Sequence, residues 1–101
     1  MQPTYNNKNI KRCNTKTLLK MMKEIEESEE FDVIAYREIL NEIFNGRDGQ
    51  RFMNLDKDDD KNCKKLQKEI MNKYYYFHFV NPEGTLESCL AINDMCNSMC
   101  D

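Results

Sequence analysis

The sequence predicts an all-α fold, a small compact bundle of about four helices. Three observations carry this expectation. Three glycines and two prolines among 101 residues leave few chain breaks, which disfavours a many-turned β fold. Apolar residues recur at helical spacing in successive stretches separated by polar segments. The length is that of one domain, and a domain of this size buries roughly 65% of the surface its unfolded chain exposes, so a single core forms without metal or disulfide staples.

Residues 1–14 are polar and carry Lys8, Lys11 and Arg12. They read as an arm, ordered only through docking of Tyr5 or Ile10, ahead of a single helical domain over 15–101. The first helix is expected to begin near Thr15, capped by Asn14 or Thr15 itself. Leu18, Met22 and Ile25 form its apolar stripe, which Leu19 and Met21 widen. Glutamates then accumulate toward Glu30, where they would oppose the dipole of a helix end and favour that of a helix start, so a break is placed between Ser28 and Asp32, with a single bent helix through 15–44 as the alternative.

The second helix is expected over about Asp32–Phe44, with Val33, Tyr36, Leu40 and Ile43 on one stripe and Ile34, Ile39 and Phe44 flanking it. Apolar residues on more than half its circumference give it a central place. Asn45-Gly46 reads as a C-cap with glycine in the left-handed region. Arg47–Gln50 reads as a turn, and Arg51–Leu55 as one short strand or a pinned loop. A third helix follows from about Asp58 to Lys73, with Cys63, Leu66, Ile70 and Tyr74 on its inner face. Lys64, Lys65, Lys68 and Lys73 are expected on a local basic face.

Next comes the densest apolar stretch, Tyr74-Tyr75-Tyr76-Phe77-His78-Phe79-Val80. It holds five of the ten aromatic residues and the single histidine. The helical phase puts Tyr74 and Phe77 on the core stripe and leaves Tyr75, Tyr76 and His78 off it. Helix is expected to about Tyr76 and an extended segment to Val80, with a turn at Asn81-Pro82-Glu83-Gly84. The last helix is expected over about Thr85–Ser98, with Leu86, Cys89, Leu90, Asn93 and Cys96 along adjoining turns.

Net charge is −3 and the sequence pI near 5.2. Nucleic-acid binders show a basic domain or a dense basic face interleaved with aromatics, so nucleic acid is not the expected partner. No apolar run approaches the length of a membrane span, and the first residues carry no signal-peptide core. Five cysteines in 101 residues fall below the density of a disulfide scaffold. A cytoplasmic or nuclear compartment is therefore expected, with a secreted chain as the alternative if a signal peptide has been removed. Twelve asparagines and eleven lysines against two alanines point to an AT-rich genome, such as that of a large DNA virus or a parasite.

Two patterns resemble metal sites. Asp58, Asp60, Asn62 and Glu69 fall at positions 1, 3, 5 and 12 of a calcium loop, but Cys63 stands where that loop needs glycine. Acids at a helix N-terminus are the simpler reading. Cys89, Cys96 and Cys100, with His78 or Cys63 as a fourth ligand, could hold zinc, but only Cys96 and Cys100 have paired spacing. Buried cysteines acting as small apolar residues account for the stripe equally well. No phosphate-binding, dinucleotide or hydrolase motif occurs, and neither an enzyme nor a cofactor is expected.

Three consecutive tyrosines cannot all face one core, and exposed tyrosine is enriched at interfaces. The leading expectation is a non-catalytic regulatory or adaptor module that binds another protein, or a second copy of itself, through an aromatic helical surface. Tyr75, Tyr76, His78, Phe79, Met95 and Met99 are the expected contact residues. A secreted helical-bundle ligand with disulfides and a calcium- or zinc-binding domain are the alternatives.

Overall fold

A computed structural model describes Ile10 and residues 13–55 and 61–99, the side chains of Lys61 and Met99 excepted. It contains α1 (Thr15–Glu27), α2 (Val33–Asn45), α3 (Arg47–Met53), α4 (Lys61–Tyr75), a single π-helical turn (Tyr76–Val80) and α5 (Leu86–Met99). The all-α expectation holds, with five helices among the described residues in place of about four and no strand among them.

Helix α1 starts where the capping signal lies: the Asn14 side chain accepts the Thr17 N–H at 2.9 Å. It stops at Glu27, and Asp32 caps α2 by accepting the Ala35 N–H at 3.1 Å. The break between these helices needs no glycine or proline, because the Ser28 N–H and hydroxyl close the end of α1 on the Ile25 carbonyl and Asp32 caps the start of α2.

The segment after α2 departs from expectation. Gly46 ends the helix but is extended (φ −75°, ψ 157°), not left-handed. It serves at once as the end of α2 and the entry to α3, and an extended residue is what an N-cap position requires. Arg47–Met53 is helix where a turn and then a strand or loop were expected. A Cβ on Gly49 would sit 2.6 Å from the Ile43 Cα, so glycine there lets α3 lie directly against the end of α2. The α3 C-terminus is closed from α4, where Gln67 Nε2 donates to the carbonyls of Phe52 (2.9 Å) and Leu55 (3.0 Å).

Helix α2 is central, packing against α1, α3 and α4, while α5 lies against α4. Tyr36, Ile39, Leu40 and Ile43 of α2 are fully buried, together with Ile25 of α1, Ile70 of α4 and Phe77 of the π turn. Ile10 is buried in the same core, so the part of the N-terminal arm that is described docks on the body. On α5 the inward residues are Cys89, Ile92 and Cys96; Leu90, expected on the stripe, is exposed.

Lys73 corrects another expectation. It is 3% exposed and pairs with Glu26 of α1, whereas a basic outer face was expected to include it. Helical phase explains the difference: Lys73 lies three residues from Ile70 and four from Phe77, on the inward side of α4. The Tyr36 hydroxyl donates to the same Glu26 carboxylate at 2.9 Å. Burial first, then the neighbouring Cys89 and Glu26, push the Tyr36 hydroxyl well above the ordinary tyrosine value. Burial likewise pushes the Cys89 thiol up to about 11.

Candidate functional site

The aromatic run is built from the end of α4 and the π turn. Beyond Tyr75 the backbone widens instead of becoming extended, and the Asn81 N–H closes the turn on the Tyr76 carbonyl at 2.8 Å. Such i→i+5 turns are rare and occur frequently at functional sites. The turn keeps Phe77 inside while leaving Phe79 and Val80 outside.

Each aromatic residue then has a distinct role. Phe77 meets Tyr36 edge-on, with ring centroids 5.4 Å apart. Tyr74 is half-buried and stacks on Phe44 of α2, at 4.2 Å and only 5° from parallel, with the His78 ring 4.5 Å away. Tyr76, expected to be available to a partner, is engaged within the chain. Its hydroxyl accepts from Ser88 at 3.2 Å and Asn81 at 3.3 Å, bonds that hold its phenol below the ordinary value. Its ring, like that of Phe77, lies so close to Gly84 that a Cβ there would come within 2.8 Å of Tyr76 and 2.6 Å of Phe77. Tyr76 therefore fastens the turn that leads to α5.

Tyr75 and Phe79 remain outside, 62% and 68% exposed, with their rings 5.5 Å apart. Met71, one turn earlier, is exposed as well. Positions 71, 75 and 79 fall on one helix face, opposite Ile70, Lys73 and Phe77. Met71, Val80 and Ile34, all exposed, were not singled out for exposure from the sequence. The i, i+4, i+8 spacing of Met71, Tyr75 and Phe79 was the signal available for the first.

A cleft of about 480 Å³ meets the aromatic run at His78 and is otherwise lined by Ile10 and by Ile34, Arg37, Glu38, Asn41 and Glu42 of α2. His78 is half-buried, its Nε2 3.2 Å from the Arg37 carbonyl, and Ile34 is exposed at the rim. Arg37 Nε is buried without a hydrogen-bond partner among the described residues. A shallower hollow of about 380 Å³ continues past Ile34 along Glu30, Phe31, Asp32 and Val33. Met95 is exposed on α5, a different helix from the Tyr75–Phe79 pair. The Met99 side chain lies outside the described residues.

For the metal patterns, Asp58, Asp60 and Cys100 lie outside the described residues. Asn62 and Glu69 are both in α4, and residues 61–69 are helical where a calcium loop would supply ligands. Cys89 and Cys96 are buried thiols of the α5 inner face. Among the described residues no three His, Cys, Asp or Glu side chains converge as a metal site. None of the described helices is long and apolar enough to cross a membrane. The chain matches no protein-family model, no curated protein and no solved structure.

Proposed function

We propose that the protein is a non-catalytic binding module whose working surface is the outer face of α4 and the π turn. One observation carries the reading. Met71, Tyr75 and Phe79 are exposed together on a helix face that contributes nothing to the core. Scattered single apolar residues on a surface are ordinary, but an aligned group that includes two aromatics is the composition of an interaction site. Tyrosine in particular supplies large contact area with little conformational freedom to lose, which is why it anchors interfaces.

The experiment is affinity capture from the native host cell under reducing conditions, comparing the intact chain with Tyr75→Ala/Phe79→Ala. A partner retained by the intact chain and lost by the variant is the expected outcome. Equal retention by both removes the reading.

A further inference from the structure

We propose that the cleft between α2 and His78 binds a free α-amino acid with an aliphatic side chain. Charges that α2 leaves unpaired point to it. Residues three and four apart are neighbours on a helix, whereas consecutive residues do not face each other. The helix neighbours of Arg37 are Val33, Ile34, Leu40 and Asn41, so α2 offers its guanidinium no acid. Glu38 and Glu42 are four apart, where like charges repel, and no base lies three or four residues from either along the helix. Among the described residues none of these three charges enters an ion pair.

All three line the cleft, and Arg37 Nε is buried with no hydrogen-bond partner among the described residues. A buried donor left unpaired is destabilising until an acceptor reaches it. A carboxylate taken side-on by the guanidinium, across Nε and one terminal nitrogen, is such an acceptor. A bare anion would also face Glu38 and Glu42, so the fitting ligand carries a cation beside its carboxylate. The Arg37–Asn41 and Glu38–Glu42 rows run side by side along α2. The two ligand charges therefore lie a few bonds apart, as they do in an α-amino acid.

Ile10 and Ile34 supply the apolar part of the lining. Ile34 is exposed, so an aliphatic side chain laid on it removes apolar area of both from water. The volume of about 480 Å³ falls within the range of small-ligand sites. The His78 ring closes one side, its Nε2 held 3.2 Å from the Arg37 carbonyl. Phosphates and polyamines bring only one sign of charge, and each meets a like charge here. A peptide C-terminus lacks the ammonium and a peptide N-terminus lacks the carboxylate, so each makes half of the charged contacts. The site shares no residue with the Met71, Tyr75 and Phe79 face, so it and the binding surface proposed above stand or fall separately.

Titration of the isotope-labelled intact chain, followed by NMR at the Arg37 Nε–H and the α2 amides, tests this with leucine, N-acetylleucine and leucinamide. Leucine is expected to bind saturably and to move the Arg37 signal. N-acetylleucine keeps only the carboxylate and leucinamide only the ammonium, so each is expected to bind about tenfold or more weakly through loss of a charged contact. Arg37→Gln and Glu38→Gln/Glu42→Gln are each expected to weaken leucine binding by about the same factor. A melting temperature close to that of the intact chain shows that a variant folds, and the ligand comparison on the intact chain decides the matter where one does not. No saturable binding at millimolar leucine, equal binding of N-acetylleucine or leucinamide, or leucine binding undiminished in a folded Arg37→Gln chain would overturn the inference. Each of those results leaves the Tyr75-dependent capture of a protein partner untouched.

Discussion

Lys73 Nζ lies 3.6 Å from Glu26 Oε2, with the lysine side chain 4% exposed and the glutamate 19%. The pair joins α4 to α1, and the Tyr36 hydroxyl of α2 donates to the same carboxylate. Three helices therefore meet at one carboxylate. Breaking such a pair from one side leaves a buried charge without compensation, whereas replacing both members with apolar groups can be nearly neutral. Glu26→Gln is expected to lower the unfolding free energy by about 3 kcal/mol, and Glu26→Gln/Lys73→Met to recover most of that loss. Urea denaturation of Glu26→Gln, Lys73→Met and the double variant checks it. Additive single losses would mean that the two charges do not interact.

The Tyr36 hydroxyl adds a hydrogen bond to a charged acceptor inside the core. Tyr36→Phe removes the donor with little change of shape and is expected to cost about 2 kcal/mol. If instead the stability of Tyr36→Phe matches that of the unaltered chain, the hydroxyl contributes nothing and Glu26 is served by Lys73 alone.

Alkaline pH acts on the same cluster. The folded Cys89 thiol is pushed from its ordinary 9.0 up to about 11, so between those values the unfolded chain has released a proton that the folded chain still holds. Stability from this group is fully present below pH 9 and is lost as pH rises toward 11. Tyr36, also raised by burial, adds a further loss from its ordinary 10.0 upward. The urea midpoint is expected to fall between pH 9 and pH 11, and Cys89→Ala to make that decline shallower.

Acid acts elsewhere. Asp48 of α3 accepts both the Thr15 hydroxyl and the Thr15 N–H at 2.7 Å, tying the start of α1 to α3. These bonds, the hydroxyl's first and the backbone's second, hold the Asp48 carboxyl below the ordinary carboxylate value. Its contribution is present above that ordinary value and is lost as pH falls through the folded one. Asp48→Asn should therefore lower the melting temperature at neutral pH, and the gap to the unaltered chain should narrow below about pH 4. A gap that is the same at both pH values would assign the effect to packing.

The helical class was legible because apolar spacing and capping side chains act over a few residues, as with Asn14 at α1 and Asp32 at α2. What escaped depended on distant partners. Arg47–Met53 carries two turn-forming residues, Asp48 and Gly49. It is helical because Gly49 admits the backbone of Ile43, Asp48 reaches Thr15, and Gln67 closes the far end. Lys73 reads as a surface residue until Glu26 is brought beside it by the packing of α1 and α4 on α2. In the aromatic run, the burial of Phe77 followed from helical phase, but the engagement of Tyr76 required the turn at Gly84 and Ser88 of α5 to fold back over it. The outer face had a local signal in Met71, Tyr75 and Phe79, and it was partly hidden because methionine fits a core as readily as a contact surface.

Glycine packing separates two kinds of close approach. Gly84→Ala would set a Cβ 2.6 Å from the Phe77 Cε1 and 2.8 Å from the Tyr76 Cε1. Rings can shift, so a cost of about 2 kcal/mol is expected from overpacking. Gly49→Ala is expected to cost more, because its Cβ would meet the backbone of Ile43, including the Cα at 2.6 Å, and α3 would have to move as a body. Equal losses in urea denaturation would show that α3 is free to retreat from α2.

Tyr75 distinguishes surface from scaffold. Its ring is 62% exposed and its ring contact is with Phe79, itself exposed. Removing it takes nothing from the core formed by Ile70 and Phe77, so Tyr75→Ser is expected to change stability by no more than about 0.5 kcal/mol. Phe77→Ala, at a fully buried position, is expected to cost about 4 kcal/mol. Urea denaturation of both variants checks the contrast. A large loss at Tyr75 would mean that the ring supports the π turn. Its exposure would then be a by-product of holding the backbone, and the outer face of α4 would no longer be a surface kept apart from the fold.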